Sequence, residues 1–171
     1  MPKTRLMVLI GLVAALALGT PATAQKQVKG KYKAIEVTRF EIQKDVEKFD
    51  AAWLLTLTDE LVKQLEESKK FQQVLREGEA PTEPGAPTLK LVGAITKFKP
   101  GSRAARYMVG FGAGSTVVKA HIKIVDKASG DVQFEDDVDG KVIMGVIGGE
   151  SVGATRGLAK EVAAKTKKQF F

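Results

Sequence analysis

Val118-Lys119-Ala120-His121-Ile122-Lys123-Ile124-Val125-Asp126-Lys127-Ala128-Ser129-Gly130-Asp131-Val132-Gln133-Phe134-Glu135-Asp136-Asp137-Val138-Asp139 decides the fold. Val118, Ala120, Ile122 and Ile124 alternate with Lys119, His121 and Lys123, the period of a strand with one buried face. Beyond the turn, Val132, Phe134, Val138, Val142 and Met144 take the buried parity, and Gln133, Glu135, Asp137 and Asp139 point outward. Matching the two apolar faces requires an odd-numbered loop. Ala128-Ser129-Gly130 supplies it, with Gly130 in the left-handed conformation of a turn plus bulge. That register sets Lys123 opposite Glu135, His121 opposite Asp137 and Lys119 opposite Asp139. Each such cross-strand pair contributes a few tenths of a kcal/mol.

Upstream, 89–98 reads as a strand apolar on both faces, with Leu89, Leu91 and Ile95 against Val92, Ala94 and Phe98, which places it centrally in a sheet. Between this strand and the hairpin lies a glycine-rich corner containing Arg103, Arg106, Gly110, Gly112 and Gly114 and ending at Ser115. Nearer the N-terminus, 32–40 alternates as a first strand. Asp50 then caps a helix over 51–69, whose stripe is Leu54, Leu57, Leu61 and Leu65, widened by Leu55 and Val62. Trp53 reads as core or lid. A short strand follows at 71–77, and 78–87, with three prolines, is a surface loop. Val152, Thr155, Leu158, Ala159, Val162 and Ala163 make a final helix over 151–169. The expected fold is α/β two-layer: a mixed sheet of about five strands with two helices on one face. The first strand–helix–strand unit is expected to be a right-handed crossover.

The first 24 residues read as a signal peptide. Lys3 and Arg5 precede an apolar run of 13 residues, and Ala22-Thr23-Ala24 forms a cleavage site. That run is too short to span a bilayer, which takes about 20 residues. Residue 25 is Gln rather than Cys, so no lipid anchor follows cleavage, and no transmembrane span remains. Removal of 24 of the 171 residues leaves 147, and the net charge falls from +7 to +5 because only Lys3 and Arg5 leave. Residues 25–31 form a disordered tail, and 32–171 a single domain. A periplasmic or secreted protein is expected. Its basic excess permits an anionic envelope component as partner. Export and the even spread of lysines exclude nucleic acid. With no cysteine in the chain, thiol nucleophiles, disulfides and thiolate metal sites are ruled out.

Three motifs invite functional readings. Gly149-Glu150-Ser151-Val152-Gly153 matches a nucleophile elbow, but no histidine follows it, so Ser151 reads as a helix N-cap and no catalytic residue is assigned. Gly110, Gly112 and Gly114 lead into a strand rather than the helix a dinucleotide fingerprint requires, so no cofactor is implied. Gly145, Gly149, Gly153 and Gly157 fall at four-residue intervals and let the final helix approach the sheet. His121, without companion ligands, does not form a metal site. Arg103 and Arg106 beside the glycine amides could hold an anion, or could pair with hairpin carboxylates.

From Gly93 to Gly130 the chain resembles a family of exported bacterial proteins, domain of unknown function 4410. The resemblance rests on Ile95-Thr96 before Pro100-Gly101, on Arg103 and Arg106, on Val109-Gly110-Phe111-Gly112-Ala113-Gly114, and on Asp126 with Ser129-Gly130. It continues more loosely through the final helix. It implies an exported protein and brings no catalytic residues. The expected role is a non-enzymatic binding or assembly module acting through a protein partner or self-association. The alternative is a small-anion binder using Arg103 to Ser115.

Overall fold

A computed structural model describes residues 29–102, 115–141 and 150–171. Six strands form one mixed sheet: β1 (Ala34–Val37), β2 (Glu41–Ile42), β3 (Gln73–Arg76), β4 (Thr88–Lys99), β5 (Val117–Asp126) and β6 (Val132–Lys141). Two helices, α1 (Ala52–Glu67) and α2 (Glu150–Phe170), complete it. The strand order is β3-β1-β4-β5-β6, with β2 beside β4 past the end of β1. β1 runs parallel to β3 and β4, β2 runs parallel to β4, and the β4-β5-β6 meander is antiparallel. The expected α/β two-layer fold is present, with β2 added. The signal segment and its cleavage site lie outside the described residues, as do Val142 and Met144.

The helices lie side by side on one face of the sheet, against Ile35, Val37, Leu89, Leu91, Ile95, Val118, Ala120, Ile122 and Ile124. Leu57, Leu61 and Leu65 of α1 and Leu158 and Val162 of α2 are fully buried there. Each side chain so removed from water contributes about 1.5–3 kcal/mol before the entropy of ordering it is subtracted. The helix begins at Ala52 and its N-cap position is Ala51, which makes no side-chain cap; Asp50, the expected cap, stands one residue further out and accepts the Ala52 amide at 2.9 Å. Leu55 departs from the expected stripe: it is 64% exposed, because a helix on a two-layer fold has only one face to bury. Ser151 is a correction too. It lies inside α2, and its carbonyl accepts the Thr155 hydroxyl at 3.0 Å.

The hairpin pairs Lys119 with Asp139, His121 with Asp137 and Lys123 with Glu135. The odd residue, however, is Gln133. It bulges between the pairs Ile124–Phe134 and Val125–Val132, and the turn closes by Asp126 N–H donating to the Asp131 carbonyl at 2.9 Å. Gly130 takes the left-handed conformation at φ +77°, and the bulge throws Val132 out to 49% exposure. A second irregularity, between Ile95 and Lys97, reverses the parity at the end of β4. Phe98 therefore joins the helix side opposite Val118 instead of the face carrying Val92 and Ala94.

Glu36 is expected by alternation to face water, yet it is 3% exposed. The loop after β3 folds over it. The Gly78 amide donates to Oε1 at 3.0 Å, and Lys127 Nζ stands 2.8 Å from Oε2 as an ion pair without hydrogen-bond alignment. Burial alone pushes this carboxyl up. Lys127, the Gly78 amide and Lys90 outweigh that and hold it below its ordinary value. Glu36→Gln is expected to cost about 1–2 kcal/mol at pH 7. Because the folded-state value is lowered, this stabilisation is present above the ordinary value of 4.5 and is lost as pH falls through the folded one. Urea midpoints of the two proteins should therefore converge at acid pH.

Candidate functional site

One end of the sheet brings charged groups up against an aromatic cluster at the margin of the core. The two-residue strand β2 draws the loop after it along the end of β4, with the Gln43 amide donating to the Ile95 carbonyl at 3.1 Å. A cleft of about 480 Å³ opens between them, lined on the loop side by Asp45, Val46, Glu47 and Lys48 and on the strand side by Thr96–Pro100. Lys48 holds a left-handed backbone at φ 61°, uncommon for a side-chain-bearing residue. Among the described residues, Lys48, Lys97 and Lys99 form no ion pair, and neither do Asp45 and Glu47. Lys97 stands opposite Lys119, whose own ammonium is taken by Asp139 at 3.0 Å. Lys97 thus has a like-charged neighbour and no counter-ion among the described residues. Behind the cleft, Phe49, Trp53 and Phe98 meet with ring centroids 5.3–5.5 Å apart.

The glycine-rich corner starts from this same end. Gly101 N–H donates to Thr116 Oγ1 at 3.0 Å, and Lys99 pairs with Val117, so the two flanks of the corner are pinned together. Arg103, Arg106, Gly110, Gly112 and Gly114 lie outside the described residues. The cleft itself carries no periodic signal in the sequence, because it depends on where a two-residue strand docks.

The helix-free face of the hairpin carries a ladder of charge. His121 sits between two carboxylates, Nε2 at 2.7 Å from Glu135 Oε1 and Nδ1 at 2.9 Å from Asp137 Oδ1. Glu135 Oε1 also meets Lys123 Nζ at 3.1 Å. The contacts with Asp137 and Glu135 outweigh partial burial and raise the imidazole above its ordinary value. A histidine occupied on both nitrogens offers no lone pair to a nucleophile or a metal. Among the described residues, no group of three or more His, Asp or Glu side chains is arranged to hold a metal ion.

At the hairpin's turn, Asp126 is a hub. Its Oδ1 accepts the Ala128 and Ser129 amides at 2.9 and 3.3 Å, and its Oδ2 accepts the Tyr32 hydroxyl at 3.0 Å. Burial pushes this carboxyl up, but the Ala128 amide, Tyr32, the Ser129 amide and Lys31 together hold it below its ordinary value. These bonds account structurally for Asp126, Ser129 and Gly130.

On each edge strand the chain caps the backbone groups of one residue itself. On β3, the Arg76 amide donates to Glu79 Oε2 at 2.7 Å and its carbonyl accepts the Glu79 amide at 3.0 Å. On β6, the Asp137 amide donates to Asp136 Oδ1 at 2.8 Å, while Lys165 from α2 reaches both the Asp136 carboxylate and the Asp137 carbonyl. Capped edge groups and a charge on the core side guard a strand against pairing with another chain. Among the described residues, no helix is long and apolar enough to cross a membrane.

The fold has solved counterparts. The PelC dodecamer from Paraburkholderia phytofirmans is similar at a TM-score of 0.52 and 16% identity, over 82% of this chain and 89% of that one. Protein XCC0632 from Xanthomonas campestris is similar at 0.53 and 14%, over 86% and 87%. Protein CT253 from Chlamydia trachomatis is similar at 0.55 and 10%, over 81% and 97%. At such identities the likeness concerns the fold. No curated protein matches the chain in sequence. A family model does, over residues 21–157, and by it the chain belongs to the domain of unknown function DUF4410.

Proposed function

We propose that this protein is a non-enzymatic assembly module of the bacterial cell envelope, periplasmic or secreted, working through contact with other copies of itself. The observation that carries the reading is the sheet end: a cleft bordered by five charges, three cationic and two anionic, that pair with none of the described residues and are backed by an aromatic cluster. Such a surface has groups left over for a partner, whereas the charges of the hairpin face are matched internally. Guarded edges turn association away from strand addition and toward a side-chain surface of this kind. The dodecameric state of PelC supports self-association of this fold. Light scattering of the mature chain tests it. The wild type is expected to be oligomeric, and Lys97→Glu/Lys99→Glu to shift it toward monomer while its circular-dichroism spectrum stays that of the folded protein. A monomeric wild type throughout the micromolar range overturns the self-assembly reading.

A second reading is favoured by Lys97 alone, a cation facing Lys119 without a counter-ion among the described residues. A small anion in the cleft would neutralise it. Under this reading inorganic phosphate raises the melting temperature by mass action, and Lys97→Ala abolishes the rise. A shift of equal size in both proteins rejects it.

A further inference from the structure

We propose that His121, clamped as an imidazolium between Glu135 and Asp137, is a proton-operated latch on the outer strand β6. The geometry requires the charge. Each ring nitrogen lies within 2.9 Å of a carboxylate oxygen, and a carboxylate can only accept. Both nitrogens must therefore donate, which only the protonated ring can do. With the ring charged, Lys119, His121 and Lys123 on β5 balance Glu135, Asp137 and Asp139 on β6. On the other side β4 presents Ala94 opposite His121, with Val92 and Thr96 flanking it. Lys97, opposite Lys119, is the nearest β4 cation, and no helix covers this face.

Loss of the proton breaks one of the two contacts, because the bare nitrogen turns its lone pair toward a carboxylate. Glu135 keeps Lys123 as a partner, whereas the Asp137 side chain, 81% exposed, has His121 alone among the described residues. Asp137 is therefore the group released, and the ladder passes from neutral to one net negative charge. This is also the residue whose backbone is tied to Asp136 and Lys165 on the opposite side of β6. Freeing its side chain leaves the middle of the edge strand held by its backbone ladder to β5 and from the helix side, with no side-chain contact from Asp137 on the open face. A raised folded-state value makes the latch complete below the ordinary histidine value of 6.5 and lost as pH rises through the folded one.

His121 is the only histidine in the chain, so its ring can be followed directly by 15N NMR on the mature protein. The titration midpoint is expected to lie above 6.5, with both ring nitrogens carrying a proton below it. A midpoint at or below 6.5 overturns the clamp. Amide exchange supplies the second arm. Protection of Asp136 and Val138 relative to His121 and Lys123, whose amides face β4, is expected to fall about two- to fivefold across the midpoint, the size of one exposed ion-paired contact. The His121→Gln protein should show no such step. If protection in the wild type does not follow the imidazole titration, His121 is charged but latches nothing.

Discussion

Gly140→Ala is expected to destabilise the protein by about 3 kcal/mol, the upper end of what a single added methyl costs in a packed interior. Gly140 lies on the helix side of β6, opposite Val118, where α2 crosses. A Cβ built there would fall 2.5 Å from the Ala154 carbonyl oxygen and 2.6 Å from both the backbone nitrogen and the Cβ of Leu158. Two of these three atoms belong to the helix backbone, which no rotamer change can move aside. The helix as a whole must lift from the sheet, opening the packing of Leu158 and Val162. For a chain of this size, the cost lowers the melting temperature by roughly 6–12 °C. Gly130→Ala is the control. That glycine has φ +77° and nothing within 4 Å, so alanine there meets backbone strain alone, about 1–2 kcal/mol. Thermal unfolding that ranks Gly130→Ala as the more damaging would show that α2 does not press on β6 at Gly140.

The final helix approaches the sheet closely at Gly140, on the sheet side; of the glycines at four-residue spacing, Gly153 and Gly157 lie in α2, and Gly145 and Gly149 lie outside the described residues. Periodicity reports which residues share a face, but not which of two facing elements yields the space. The same limit explains other departures. Strict alternation carries the three cross-strand pairs of the hairpin because β5 and β6 keep one register from Val117 to Ile124. It fails at Val132 and Phe98, because a bulge adds a residue without a compositional mark. The alternation also pairs His121 with Asp137, while the second carboxylate, Glu135, is a diagonal neighbour two residues away and comes within reach only through side-chain length. Glu36 stands on the outward parity as the pattern requires. Its burial depends on the loop after β3 folding back, a long-range event with no local signature. The cleft beside Lys97 is illegible for a similar reason. β2 has two residues, too few for any period to show, yet it fixes the loop that forms the opposite wall.

Phe40→Ala and Gly93→Ala should each be severe alone and markedly less than additive together. β1 pairs with β4 as far as Leu91, and β2 resumes the pairing at Ala94, so the chain must step past Val92 and Gly93 in between. Thr38 anchors the step, its amide and its hydroxyl both donating to the Leu91 carbonyl at 3.0 and 2.9 Å. The Phe40 ring then lies directly on Gly93, 2% exposed. A Cβ at position 93 would sit 2.5 Å from the ring's Cζ and 2.7 Å from Cδ2. Gly93→Ala must therefore expel a buried ring or bend the central strand, at about 2–3 kcal/mol. Phe40→Ala removes the ring and leaves a cavity, at about 3–5 kcal/mol. In the double variant the methyl added at position 93 enters space that the ring has vacated, so the clash vanishes and part of the cavity is filled. Urea denaturation should place the double variant no lower than Phe40→Ala itself, with a coupling of about 1–3 kcal/mol. Simple additivity would mean that ring and glycine do not touch. The step from β1 to β2 would then be held by Thr38 alone, and the wall of the cleft that β2 supports would lose its anchor in the core.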